Sequence, residues 1–315
     1  METVESKQQD YIDRVLKKCK FFRQTQVWPL ASELDFEGWI NNFESLKDKY
    51  LACVILSSFI YYSDDMMTKL LYDSVGKACA CFHEYRSHWR HEDHKRQVIY
   101  SYIPGERPNI SDSGYGFIHK LKNDLHIPEE NFVDFNLLMN LLQNTTHHHN
   151  VVFVDDIVGS GCQCVTALTK KIPDINMSLL EMAKQNEHLL AYAPLVANEM
   201  GVNLISKECP DLFLTPAHIL TDEYNLFSPR CICWNNDEDL FCEGIAMIRR
   251  VSAAHGIPEQ YPNLGKEVDV RGFCNQGLAI AFKNGIPDAV PAFFFFNEKG
   301  WTPLMHREYK RIYQS

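Results

Sequence analysis

Residues Val151 to Thr166 read VVFVDDIVGSGCQCVT, and no other stretch limits the chain's fold so tightly. Four apolar residues run into two adjacent carboxylates, Asp155 and Asp156. Ile157 and Val158 follow, then Gly159-Ser160-Gly161, then a segment free of helix breakers. A continuous apolar run of this length predicts a strand buried on both faces of a parallel sheet. Such a strand carries its acids to the carboxyl edge of the sheet, where open α/β folds bind ligands. The glycines let the backbone close around an anion with its N–H groups pointing inward. A helix beginning at Cys162 adds its free amides and its dipole to the same anion, and the Ser160 hydroxyl adds a donor. Paired acids accept hydrogen bonds from vicinal sugar hydroxyls, either directly or through hydrated Mg2+. The competing reading is a buried strand and a glycine turn capped by two aspartates. Adjacent acids at a strand end are common, but thirteen positions in this order are not.

Around this segment the pattern alternates strand, loop and helix. Val98 to Ile103 reads as a strand closed by Pro104-Gly105, Gly116 to Leu125 and Phe132 to Gln143 as helices, and Cys162 to Lys171 as the helix after the glycines. His188 to Val196 is a second buried strand, and Val202 to Ile205 with Phe213 a further one. The expected class is α/β, a mainly parallel sheet with flanking helices. Before it lies a helical stretch. Asp35 or Ser32 can cap a helix through Trp39 and Phe43, and Leu51 to Tyr62 is apolar throughout, as in a buried helix. Met66 to Phe82 keeps helical spacing. The expected division is a helical region over 1–92 and an α/β domain over 93–315. Within the latter, Gly272 to Phe282 and Ala289 to Phe296 look strand-like, an appended lobe or an extra sheet edge.

With 45% hydrophobic and 23% charged residues the composition is that of a soluble globular protein. No apolar run approaches the roughly 20 residues that span a bilayer. The polar, acid-bearing start does not read as an export signal, so the expected location is the cytoplasm. Eleven cysteines, an odd number, then read as reduced and mostly buried thiols. Cys231, Cys233 and Cys242 lack the paired C-x-x-C spacing of a zinc site and fit a core better. A formal charge of −10 excludes a nucleic-acid surface over the whole chain. The one local basic patch, Arg86 to Arg96, reads as a solvated junction between domains. His147-His148-His149 reads as a solvated loop before the motif strand.

The order of residues 151–163 resembles the signature of the phosphoribosyltransferases. That signature is four hydrophobic residues, two acids, two hydrophobic residues, a small residue, Thr or Ser, Gly, and often Gly-Thr. FEGWINNFESLKDKYLACVILSSFIYYSDDMM, the SDSG of Ser111 to Gly114, DDIVGSG and PDAVPAFFFFNEKGWTPLMHR widen the likeness to roughly residues 36–307. There the chain resembles phosphoribosyltransferase-like proteins of bacterial conflict systems, which are encoded beside antiviral defence components such as retrons.

The resemblance implies a type I phosphoribosyltransferase-like fold in which Asp155 and Asp156 hold the ribose of phosphoribosyl pyrophosphate or a nucleotide. Ile157, Val158, Gly159, Ser160, Gly161, Cys162 and Gln163 would line the ligand, the last five around its 5′-phosphate. Mg2+ would bind through Asp155 and Asp156. In the loop Pro104 to Gly116, residues Arg107, Ser111, Asp112, Ser113 and Gly114 would meet pyrophosphate, with His119, Lys120 or Arg307 as further cations. Those same Ser and Asp residues can equally cap the next helix. Trp301 and Arg307 stand either as a hood over the ligand or as a packing anchor. Cys162 and Gln163 depart from the Gly-Thr of the family, which keeps the amides and loses a hydroxyl. The implied function is a toxic effector of a defence system that transfers phosphoribosyl groups. Its inhibitors would be a reverse transcriptase and its DNA–RNA product if a retron encodes it. The alternative is a binding module without catalysis.

Overall fold

The computed structural model describes residues 3–86, 93, 97–105, 113–143, 147–257 and 268–307, giving the backbone alone at 113–115 and 268–269. The first helix, α1 (Val4–Gln24), starts where the Thr3 hydroxyl accepts the Ser6 amide. α2 (Phe36–Asn41) is capped by Asp35, which accepts the Gly38 amide at 2.9 Å, so of the two cap candidates Asp35 is the cap. α3 (Leu46–Ser57) is capped by Ser45. The apolar run Leu51 to Tyr62, expected as one helix, splits. Ser57 and Ser58 turn their hydroxyls back onto the Val54 and Ile55 carbonyls, a local competition that ends the helix. The remainder becomes β1 (Ile60–Tyr62).

The chain then enters α4 (Asp64–Tyr85), β2 (Val98–Tyr102), α5 (Ser113–Asp124), α6 (Phe135–Leu142) and β3 (Asn150–Val158). It continues through α7 (Cys162–Thr169), α8 (Leu179–Gln185), β4 (Leu189–Asn198), α9 (Glu199–Glu208), β5 (Leu212–Leu214) and β6 (His218–Leu220). All the pairings in this sheet are parallel, and they confirm the expected α/β class. β3 lies between β2 and β4, while β5 and β6 pair in succession with β4. Val151, Val152, Phe153 and Val154 are fully buried, as a central strand requires. Leu138, Leu142, Leu168, Leu179 and Ile205 from the helices pack with Val151, Phe153 and Leu190 in one core.

Of the expected strand Val202 to Ile205 with Phe213, only Phe213 lies in a strand, β5, and the rest is helix. Val202 to Ile205 belongs to α9, capped by Asn198 through the Met200 amide, with Gly201 and Ile205 on its buried side. Four apolar residues do not by themselves distinguish strand from helix. Here the cap decides.

After β6 come α10 (Glu238–Ala254), the short antiparallel pair β7 (Val268–Asp269) and β8 (Gly272–Phe273), and β9 (Ile280–Phe282), which pairs in parallel with β1. Ala289 to Phe296 is not a strand. Pro291 starts a 3-10 turn at Ala292–Phe294, and Phe293 to Phe296 are all buried. Phe293 and Phe294 lie against Trp39, whose indole N–H donates to the Phe293 carbonyl at 2.9 Å.

Two compact units result, one of residues 1–64 with 221–315, the other of 65–220. The expected cut at 92/93 falls inside the second unit, because α4 is bonded there. Its Ser74 carbonyl accepts the Thr215 hydroxyl at 3.1 Å, and its Tyr72 hydroxyl donates to the Asp124 carbonyl at 2.9 Å. Among the described residues no helix is long and apolar enough to cross a membrane.

Candidate functional site

β3 runs further than its apolar stretch. Ladder pairing with β4 continues to Ile157↔Val196 and Val158↔Ala197, so the two acids lie within the strand near its carboxyl end. They alternate, as strand residues must. Asp155 is buried, and Asp156 is half-buried. Asp155 accepts the Asp156 amide on Oδ1 at 2.9 Å and the Tyr192 hydroxyl on Oδ2 at 3.0 Å. Asp156 accepts the Ile157 amide on Oδ1 at 2.8 Å. Burial, and then the nearby Asp155 charge, raises the Tyr192 phenol well above its ordinary value. A phenol keeps its proton at neutral pH in any case, and the raised value extends Tyr192's role as a donor to Asp155 into the alkaline range.

The glycine segment turns sharply into α7. Gly161 is the N-cap, with φ 80° and ψ −9°, and no side chain caps the helix. The first-turn amides of Gln163 and Cys164 thus have no partner inside the helix. The Cys162 amide lies 3.4 Å from the Ser160 hydroxyl oxygen. The loop is seated on Gly201 in the first turn of α9. A Cβ there would stand 2.4 Å from the Gly159 carbonyl oxygen, 2.7 Å from Val158 Cγ1 and 3.1 Å from the Gly161 nitrogen. A Cβ on Gly161 would meet the Gly201 carbonyl oxygen at 2.9 Å. Two backbones touch here, and only glycine allows it.

The expected ligand residues thus divide. Gly159, Ser160, Gly161, Cys162 and Gln163 form one turn at the carboxyl end of β3, beside Asp156. Val158 instead packs its side chain in the core with Cys164 and Ile205, and Ile157 is half-buried. Gln163 stands where the family has Thr. Its side-chain amide donates to the Ile103 carbonyl at 3.2 Å and ties α7 to the segment that leaves β2.

Of the second loop, Arg107, Ser111 and Asp112 lie outside the described residues, and Ser113 and Gly114 are described only as the backbone that opens α5. Lys120 is engaged on its own side, with Thr68 Oγ1 at 2.9 Å and Asp124 at 3.6 Å, and His119 is exposed. In the other unit the Arg307 guanidinium stacks over Phe295 at 5.1 Å. Trp301 is buried there, its indole N–H donating to the Phe293 carbonyl at 3.0 Å, which is a packing anchor's arrangement. The basic patch 86–96 lies largely outside the described residues.

The histidine run is not wholly a loose loop. The His149 amide donates to Nδ1 of buried His188 at 3.0 Å, and His188 Nε2 bonds the Leu142 carbonyl at 2.9 Å. Among the described residues no three His, Cys, Asp or Glu side chains form a metal cluster. All eleven cysteines are unbridged; Cys162, Cys242 and Cys274 are exposed, and eight are buried or half-buried.

Two residues of the site were not read from the sequence. Tyr192 sits in an apolar strand and carries no signal of its own. Gly201 had one, a glycine inside a helical pattern three residues after Asn198, which usually has a packing cause.

No curated protein and no solved structure matches this chain. A family model described as PRTase-CE matches residues 36–307, a span that takes in β3, the glycine turn and most of both units. The chain belongs to the PRTase-CE family, which is phosphoribosyltransferase-like.

Proposed function

We propose that this protein binds phosphoribosyl pyrophosphate or a related nucleotide at the carboxyl end of β3 and transfers its phosphoribosyl group to an acceptor nucleophile. One observation carries the reading. The glycine turn, pressed onto Gly201, presents backbone amides and an uncapped helix N-terminus within six residues of two strand-borne carboxylates. Amides of this kind take a phosphate, and carboxylates take vicinal hydroxyls.

In this scheme Gly159 to Gln163 hold the 5′-phosphate. Asp156, with its accessible edge, accepts the ribose hydroxyls. Asp155 is fixed by Tyr192 and orients the strand end rather than reaching outward. Of the two acids expected to hold Mg2+, Asp156 has the accessible hard oxygen donors that would suit the hydrated ion, which binds through one or two carboxylates together with ligand phosphates, and Asp155 would act from behind it. When bound, Mg2+ offsets the charge of the pyrophosphate group. The bond from the anomeric carbon to pyrophosphate breaks through an oxocarbenium-like state. The acceptor forms its bond on that carbon and gives up its proton. The chain supplies position and charge rather than a covalent nucleophile.

The setting we propose is an antiviral defence system such as a retron, with the protein as its toxic effector in the cytoplasm and a reverse transcriptase with its DNA–RNA product as the restraint. Its support is the resemblance over residues 36–307 alone. A second reading, binding without catalysis, has its own observation: the Gln163 side chain is spent on the Ile103 carbonyl where the family offers a hydroxyl.

Calorimetric titration with phosphoribosyl pyrophosphate and Mg2+ tests the site, alongside an Asp155→Asn/Asp156→Asn variant. Binding by the wild type and loss by a folded variant are expected. A folded wild type that does not bind refutes the proposal. Release of pyrophosphate on adding candidate acceptors then distinguishes the enzyme from the binding module.

A further inference from the structure

A cavity of about 630 Å3 lies within the unit formed by residues 1–64 and 221–315, away from the glycine turn in sequence and in unit. Tyr11, Tyr50, Tyr224 and Ser58 line it, and so do Cys231 and Cys233. These two thiols are buried, and their sulfurs stand 3.4 Å apart, the Cys233 S–H donating to Cys231. A disulfide needs about 2.05 Å between sulfurs, so closing the pair takes a movement of roughly 1.4 Å. The turn that carries them is held at both ends. The Cys231 amide donates to the Ser228 carbonyl at 3.0 Å, and the indole of Trp234 donates to the Leu226 carbonyl at 2.9 Å.

We propose that Cys231 and Cys233 form a peroxide-reactive dithiol, a modification site that a small hydroperoxide reaches through this cavity. Its chemistry differs from that of the other buried thiols. Burial pushes Cys19, Cys53 and Cys79 up to about 12, which makes them poor nucleophiles. Cys231 is lowered instead, chiefly by the hydrogen bond from Cys233, against the opposing effect of burial. Cys233 is raised by the same bond and keeps its proton. That is the division of labour between an attacking and a resolving thiol.

The steps balance with one hydroperoxide. The Cys231 thiolate attacks a peroxide oxygen, the O–O bond breaks, and a sulfenic acid forms as hydroxide or alkoxide leaves. Cys233 then attacks the Cys231 sulfur, loses its proton, and expels hydroxide as water. Two thiols are oxidised to one disulfide, and the peroxide is reduced to water and, for an organic hydroperoxide, an alcohol.

The test uses the full chain, fully reduced and treated with equimolar hydrogen peroxide. Non-reducing peptide mapping should show the peptide bearing Cys231 and Cys233 lighter by two hydrogens, and free thiols should fall from eleven by two, to nine. Cys233→Ser should leave a sulfenic acid on Cys231 that dimedone captures, and Cys231→Ser should abolish the fast reaction. Phenylarsine oxide, which bridges adjacent thiols, should bind the reduced wild type one to one and fail to bind either variant. Oxidation confined to exposed Cys162, Cys242 or Cys274, with the Cys231–Cys233 peptide unchanged, overturns the proposal. That readout needs no variant to fold, and it is independent of whether the other unit binds a phosphoribosyl compound.

Discussion

Gly201→Ala adds one carbon where the glycine turn meets α9. The new Cβ would sit 2.4 Å from the Gly159 carbonyl oxygen, so reaching an ordinary 3.4 Å requires a shift of 3.4 − 2.4 = 1.0 Å. Its neighbours include backbone atoms of Gly159 and Gly161, which no rotamer change can move aside. The turn itself must give way. Overpacking of this kind costs about 1–3 kcal/mol. Removing a helical glycine returns about 0.5–1 kcal/mol, so the net loss of stability is roughly 0–2.5 kcal/mol. Ligand binding should suffer more. Moving the turn by that amount breaks at least one charge-assisted bond from an amide to phosphate, worth about 1.5–3 kcal/mol. That corresponds to a Kd higher by about 10- to 150-fold. Calorimetry with ribose 5-phosphate reads this subsite without needing catalysis, and a thermal melt reads stability separately. Gly76→Ala in α4 is the control, since its Cβ meets nothing within 4 Å. It should raise the melting temperature and leave binding alone. If Gly201→Ala is folded and binds ribose 5-phosphate as the wild type does, the turn is not the phosphate cradle.

Tyr192→Phe should cost about 1.5–3 kcal/mol, because the buried Asp155 carboxylate loses a donor at 3.0 Å. Chemical denaturation measures it, and a cost below about 0.5 kcal/mol would show that Asp155 does not depend on Tyr192. Alkali should destabilise the fold. Cys19, Cys53 and Cys79 are raised from 9.0 to about 12 and Tyr61 from 10.0 to about 12, so their contribution is complete below pH 9 and is lost as pH rises towards 12. Circular-dichroism melts should hold steady from pH 8 to about 9 and fall from there to 11.5, and a profile flat over the whole range would contradict the burial. Acid acts through His188, whose value burial lowers from 6.5. Its stabilisation is present above pH 6.5 and is lost as pH falls through the lowered value. His188→Gln should flatten the stability profile below pH 6.5, and an unchanged slope would place the acid sensitivity elsewhere.

What the sequence disclosed follows from how local each cause is. β3, the glycine turn and α7 were legible because strand burial, positive φ at Gly161 and helix initiation are all encoded within sixteen consecutive residues. Val202 to Ile205 misled because four apolar residues satisfy strand and helix alike, and the deciding Asn198 cap lies before them. Ala289 to Phe296 misled for a related reason. An all-apolar run says only that it is buried, and here Pro291 bends it into a turn against Trp39. Leu51 to Tyr62 hid a helix end because two serines, neutral in composition, turned their hydroxyls inward. The grouping of residues 1–64 with 221–315 depends on the pairing of β1 with β9, more than two hundred residues apart, and no local pattern announces it.

The two adjacent aspartates show the same limit at the site itself. In sequence they are equivalent, and the resemblance to the phosphoribosyltransferases implies that both hold the ribose. In the strand they cannot be equivalent, because alternation sends one inward and leaves the other at the accessible edge. The inward one needs a donor that keeps its proton at neutral pH, and Tyr192 meets that need as any phenol does, with burial holding it still further from ionisation. A pair of acids next to each other in β3 therefore calls for a hydroxyl across the ladder on β4, three residues before Leu195. The consequence is an asymmetry in the paired substitution. Asp156→Asn alone should remove most of the binding and little of the stability, and Asp155→Asn should do the reverse.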